Sequence, residues 1–144
     1  MKSFLVDVNA WLALCTDRHV HYGAAHRWFA SVAPGQAFLC RLAQLGLLRL
    51  LTNRQVMRQD VLSQAAAWRT YDRLREDVRV AYTDEPPGLE AAFRRLTQTH
   101  LPATGGWTDA YLAALARTRG LTVVSFDQGF RRLEGIDALI LPLA

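Results

Sequence analysis

The chain has 144 residues, 51% hydrophobic and 21% charged, with a formal net charge of +4, which suits one soluble globular domain with its own core. No apolar run approaches the roughly 20 residues that span a bilayer. Cys15 and Cys40 are the only cysteines and form no CxxC pair, which argues against a disulfide scaffold or a structural zinc site. Lys2 is the only lysine, so the excess positive charge is carried by arginine, whose planar fork suits phosphate. On charge alone, an anionic partner such as nucleic acid and plain solubility are equally served.

Residues 3–7 read as a buried strand, continuous and apolar until Asp7 stops the run. Asn9 is placed to cap a short helix from Ala10 to about Leu14. Apolar positions Ala25, Trp28, Phe29 and Val32 give helical spacing over residues 22–32, which Pro34-Gly35 ends. Residues 37–40 form a second strand. Helices are predicted over 41–51 and 61–76, a third strand over 78–82, and another helix over 89–99 after the Pro86-Pro87-Gly88 turn. Residues 102–106 read as a flexible loop. Thr108 is expected to cap a helix that runs to Arg119 and closes at Gly120. The β-branched run 122–125 is a fourth strand, 130–133 a short helical turn, and 138–141 a last strand.

Strands separated by helices predict an α/β fold of three layers (α/β/α), with a mostly parallel sheet of four to five strands in one domain over residues 1–144. The ligand site of such sheets lies beyond the carboxyl ends of the strands. That rule directs attention to Asp7 at the end of the first strand and to Asp127 just beyond the fourth. Asp109 stands in the first turn of an apolar helix that must be buried, so its carboxylate faces a cleft. Each acid alone has a plain structural explanation: Asp7 as a helix cap, Asp109 as a complement to the helix dipole, Asp127 as a turn residue. Three at one sheet edge call for a cation to offset their repulsion. All-oxygen ligands select Mg²⁺, with Mn²⁺ as substitute, and the corresponding chemistry is phosphodiester hydrolysis.

Three motifs carry a resemblance: Asp7-Val8-Asn9-Ala10-Trp11-Leu12-Ala13-Leu14, the run from Trp107 to Ala116, and Ser125-Phe126-Asp127-Gln128-Gly129-Phe130. In that order, and with the stretch from Cys40 to Asn53, they resemble the PIN-domain ribonucleases, specifically VapC-type toxins of VapBC toxin–antitoxin systems. The apolar run before Asp7 is too short for a signal peptide, so a cytoplasmic protein is the default expectation. The resemblance implies an Mg²⁺-dependent endoribonuclease acting on RNA such as tRNA or ribosomal RNA. It also implies a homodimer and a VapB-type antitoxin partner. Asp7, Asp109 and Asp127 would hold the metal. The family's glutamate on the helix after the second strand is matched here by Gln44, which adds no charge, and residues 37–59 contain no acid to replace it. That departure implies weaker metal affinity and slower turnover, and opens an alternative in which the fold serves as an RNA-binding or regulatory module. Geometry adds supporting residues. Asn9 is placed for a metal-bound water or a phosphate, Ser125 for the Asp7 or Asp127 carboxylate, and Thr108 lies near Asp109. Arg41 and Arg49 flank Gln44, to face phosphate or solvent. Trp107 is placed to stack on a base. A phosphotransferase with Asp7 as nucleophile fits poorly, because position 9 is Asn and Lys2 precedes the strand.

Overall fold

The computed structural model describes residues 1–99 and 106–143, with the backbone alone at Thr99. Most of the loop expected over 102–106 therefore lies outside the described residues. Among these residues five short strands form one sheet: β1 (Phe4–Val6), β2 (Ala37–Leu39), β3 (Val80–Tyr82), β4 (Thr122–Ser125) and β5 (Ala138–Ile140), in the order β3-β2-β1-β4-β5. Every pairing is parallel, as intervening helices require.

Among the described residues, seven α-helices flank the sheet: α1 (Val8–Cys15), α2 (Tyr22–Phe29), α3 (Arg41–Leu51), α4 (Arg54–Met57), α5 (Gln64–Glu76), α6 (Leu89–Thr99) and α7 (Trp107–Arg119). Helix α1 packs on α2 and α3, and α3 on α5, while α6 packs on α7, which also touches β1 and β4. The architecture is the expected three-layer α/β/α. The central strands β1 and β4 are almost wholly buried, with Leu5, Val6, Val123, Val124 and Ser125 all at 0% exposure. This explains why they read as continuous apolar runs rather than alternating ones. No helix among the described residues is long and apolar enough to cross a membrane.

Several boundaries differ from the sequence expectation, each for a local reason. Helix α1 begins at Val8, not Ala10, because Asp7 rather than Asn9 is its cap: the Asp7 carboxylate accepts the Val8 N–H at 2.8 Å. Helix α2 stops at Phe29, where the Ser31 hydroxyl takes the Trp28 carbonyl at 2.6 Å and competes with the helical pattern. Helix α5 starts three residues late, with Ser63 Oγ accepting the Ala66 N–H. Thr108 does not cap α7. Gly106, at φ +80°, turns the chain so that the helix already includes Trp107. Helix α4 and the 3-10 turn Arg58–Asp60 that follows it were not expected. The local signal was Asn53, whose side chain accepts the Gln55 and Val56 N–H groups.

Candidate metal centre and active site

Parallel register sets the level of the site. Leu5 stands opposite Phe38, and Phe38 opposite Ala81, so Asp7, Cys40 and Thr83 follow the ends of three neighbouring strands at one height. On the other side, Val6 pairs with Val124, which brings the end of β4 beside Asp7. The Asp7 N–H donates to the Val124 carbonyl at 2.8 Å and locks that junction.

The junction is closed by one buried hydroxyl. Ser125 Oγ donates to Asp7 Oδ2 at 2.7 Å and accepts the Asp127 N–H at 2.9 Å. Asn9 bridges the same gap: its amide nitrogen donates to Ser125 Oγ at 3.3 Å, and its carbonyl oxygen accepts the Phe126 N–H at 3.3 Å. Asn9 is thus occupied in tying α1 to the end of β4. Asp127 Oδ1 in turn accepts the Gly129 N–H at 2.8 Å, which opens the 3-10 turn Gln128–Arg132. The expected helical turn over 130–133 is this segment, begun two residues earlier.

Electrostatics link the third acid to the first two. Burial, then the charges of Asp7 and Asp127, push the Asp109 carboxyl up to about 6, and a side-chain hydrogen bond with Asp127 raises it further within that value. Such a bond between two carboxyls requires a proton on one of them. Asp7 is also raised, first by burial and in part by Asp127, while the hydrogen bonds from Ser125 and Val8 oppose the rise. The ion pairs of the described residues are Lys2–Asp137, Arg18–Asp60, Arg79–Asp77 and Arg94–Glu90; none involves these three acids.

Asp7 and Asp109 therefore both feel the charge of Asp127, and none of those four ion pairs neutralises any of the three acids. They do not converge into a closed set: among the described residues no group of three or more His, Cys, Asp and Glu forms a ready-made metal site. The donor chemistry, oxygen-only and short of positive charge, fits a hard divalent cation.

Gln44 is buried at 6% exposure, one turn into α3, and its Oε1 accepts a hydrogen bond from Arg41 Nη1. The start of α3 does border the site, since the charges of Asp7 and Glu85 help burial to raise the Cys40 thiol. Arg49 is exposed in a groove between α3 and α5 with Leu48, Thr52, Gln64 and Trp68, not beside the acids. Thr108 is exposed in the first turn of α7. Trp107 is 53% exposed and packs edge-on against Phe93.

Some neighbours of the site had no sequence signal. Glu85, beyond β3, accepts a hydrogen bond from the Tyr111 hydroxyl, and burial with that contact raises the Tyr111 pKa. His21 stacks on Phe126 with ring centroids 4.6 Å apart. Only the paired register and the α7 packing bring these distant residues together.

Comparison with known proteins agrees with this geometry. Residues 4–136 match the PIN domain. The chain belongs to the PIN-domain family. Within it, the chain is 41% identical over 142 residues to Ribonuclease VapC41 of Mycobacterium tuberculosis, covering 95% of this chain and 97% of that protein. It is 33% identical over 134 residues to Ribonuclease VapC38 of the same species, covering 87% and 85%. This PIN domain is therefore of the VapC type. Among solved structures, M. tuberculosis VapC20, described as a Sarcin-Ricin loop cleaving toxin, superposes with a TM-score of 0.72 at 22% identity, covering 97% of this chain and 100% of that one. VapBC2 from Rickettsia felis, bound to a promoter DNA fragment, gives 0.69 at 12% identity, covering 96% and 98%. At those identities the structures speak to the fold.

Proposed function

We propose that this chain is a Mg²⁺-dependent endoribonuclease, the toxin of a VapBC-type toxin–antitoxin pair, with Asp7, Asp109 and Asp127 holding the metal. The observation that carries the reading is the raised carboxyls of Asp7, at the end of β1, and Asp109, at the start of α7, each pushed up first by burial and in part by the charge of Asp127 beyond β4, with none of the ion pairs among the described residues involving these acids. A divalent cation there supplies an activated water and charge stabilisation at the phosphate. Ser125 orients Asp7 and the turn carrying Asp127 through one hydroxyl. Asn9 holds α1 to β4 so that the two acids keep their spacing. Partial burial of Asp7 and Asp109 lowers the polarity around them and strengthens their hold on a cation.

The VapC ribonucleases of M. tuberculosis support the activity, and the VapBC complexes among its structural neighbours support a VapB-type antitoxin partner. Mn²⁺ as a substitute ion, a homodimer, cytoplasmic residence and a tRNA or ribosomal RNA target belong to the same proposal. Gln44 does not favour the alternative of a merely RNA-binding module, because its side chain is committed to Arg41 and leaves the three acids intact. The test is cleavage of total RNA by purified protein with Mg²⁺, with Mn²⁺ and with EDTA. Cleavage with either ion, abolished by EDTA and by Asp7→Ala or Asp109→Ala, is expected. Cleavage that persists in EDTA, or no cleavage with any ion, contradicts the proposal.

A further inference from the structure

Two arginines converge on one aromatic ring beside the acid cluster. Arg41 opens α3 and Arg75 lies in the last turn of α5; their guanidinium carbons stand 5.5 and 5.2 Å from the centroid of the Tyr82 ring. Each is oriented by a hydrogen bond to a neutral group, Arg41 to Gln44 Oε1 and Arg75 to the Tyr71 hydroxyl at 3.2 Å. Both arginines are exposed. Among the described residues neither forms an ion pair with a carboxylate. Arg79 shows the contrast: it too sits over a ring, that of Phe29, but it is neutralised by Asp77 at 2.8 Å. The exposed Asp84 is near enough to influence the Tyr82 hydroxyl, yet pairs with neither arginine.

A ring contact is worth about 0.5–1 kcal/mol to each cation at an exposed site, and gathering two cations on one ring works against it. An anion bridging them offsets that repulsion, and arginine's fork is shaped for phosphate. Position identifies which phosphate. Tyr82 ends β3, two strands from β1, which is about 10 Å across the sheet from Asp7. Arg41 follows Cys40, whose thiol responds to the Asp7 charge.

We propose that Arg41, Arg75 and Tyr82 form a phosphate subsite that holds the RNA backbone next to the scissile bond, so that the bound strand runs from the acids across the ends of β2 and β3. This rests on the ribonuclease reading, and the test separates the two. A short single-stranded RNA is used as the probe, with KM and kcat measured in Mn²⁺ and binding measured by anisotropy in EDTA over a range of salt. Arg75→Gln is expected to raise KM at least about tenfold with kcat unchanged, the loss of one charged hydrogen bond. It should also flatten the slope of log affinity against log salt by about 0.7, one phosphate contact on a single strand. Arg75→Lys restores the slope, and Arg49→Gln, which removes the same charge from the α3–α5 groove, changes neither. If Arg75→Gln alters neither KM nor the salt slope, or Arg49→Gln alters them equally, the subsite is overturned even though the wild type cuts RNA. Binding with the expected salt signature but no cleavage overturns the nuclease reading and leaves the subsite. Neither binding nor cleavage overturns both.

Discussion

Ser125 shows how much of this site depends on one hydroxyl. It is fully buried, donates to Asp7 and accepts from the Asp127 backbone. Ser125→Ala leaves Asp7 Oδ2 without that donor and frees the turn; metal-dependent cleavage is expected to fall about 10–100-fold, as for other residues that orient metal ligands. Activity within twofold of wild type would show that the hydroxyl does not orient the site. Gln44 gives a second residue-level prediction. A glutamate there meets the Arg41 guanidinium first, so Gln44→Glu alone should change Mn²⁺ affinity little. Combined with Arg41→Gln, the new carboxylate is released and affinity should rise. A large gain from the single change, read by calorimetry, would mean that Arg41 does not hold position 44. The acids were legible in the sequence because each ends an unbroken apolar strand or starts an apolar helix. Arg41, Arg75 and Tyr82 were not legible as a group, since their proximity comes from the packing of α3 and α5 against an edge strand.

At the scale of elements, α1 and α3 meet at Gly46. A Cβ added there would lie 2.8 Å from Val8 Cγ2, and Val8 is β-branched and stiff. Alanine ordinarily favours a helix over glycine by about 1 kcal/mol. Here Gly46→Ala is expected instead to destabilise the fold by about 1–3 kcal/mol through overpacking, and to weaken metal binding because Val8 adjoins Asp7. Urea denaturation checks the sign: a gain in stability would contradict the close α1–α3 contact. The expected strands and helices were read correctly from hydrophobic period, α4 was missed, and the boundary differences fell where one cap hydrogen bond or one glycine dihedral set the helix end. Asp7 displaced Asn9 as the cap of α1, and Gly106 displaced Thr108 as the start of α7. Both are decisions of one hydrogen bond or one dihedral, which periodicity does not encode.

For the whole molecule, the proposed metal site couples folding to pH through Asp109 and predicts a coupling to metal. Asp109 ionises at about 6 in the folded chain but near its ordinary value when unfolded. The folded state therefore holds the extra proton, and stability falls as pH rises through that window, from about 4 to about 6. Metal-free protein should thus lose stability across this range more than its Asp109→Asn variant does. Mg²⁺ should raise the melting temperature at pH 7.5 more than at pH 5, because the ion binds the ionised, folded form. Equal melting shifts at both pH values would argue that the acids are not a shared cation site. The fold class was legible from the alternation of strands and helices, and the parallel five-stranded sheet follows from it. The hydrogen bond that engages Gln44 was not, because helical spacing sets Arg41 beside it without fixing which partner either side chain takes.

The central claim is that Asp7, Asp109 and Asp127 act together on one cation. Its most direct test is calorimetric titration of Mn²⁺ into the wild type and into Asp7→Asn, Asp109→Asn and Asp127→Asn separately. One saturable ion per chain, weakened at least about tenfold by each substitution, is the predicted result. No saturable binding in the wild type, or an affinity indifferent to any one of the three changes, contradicts it.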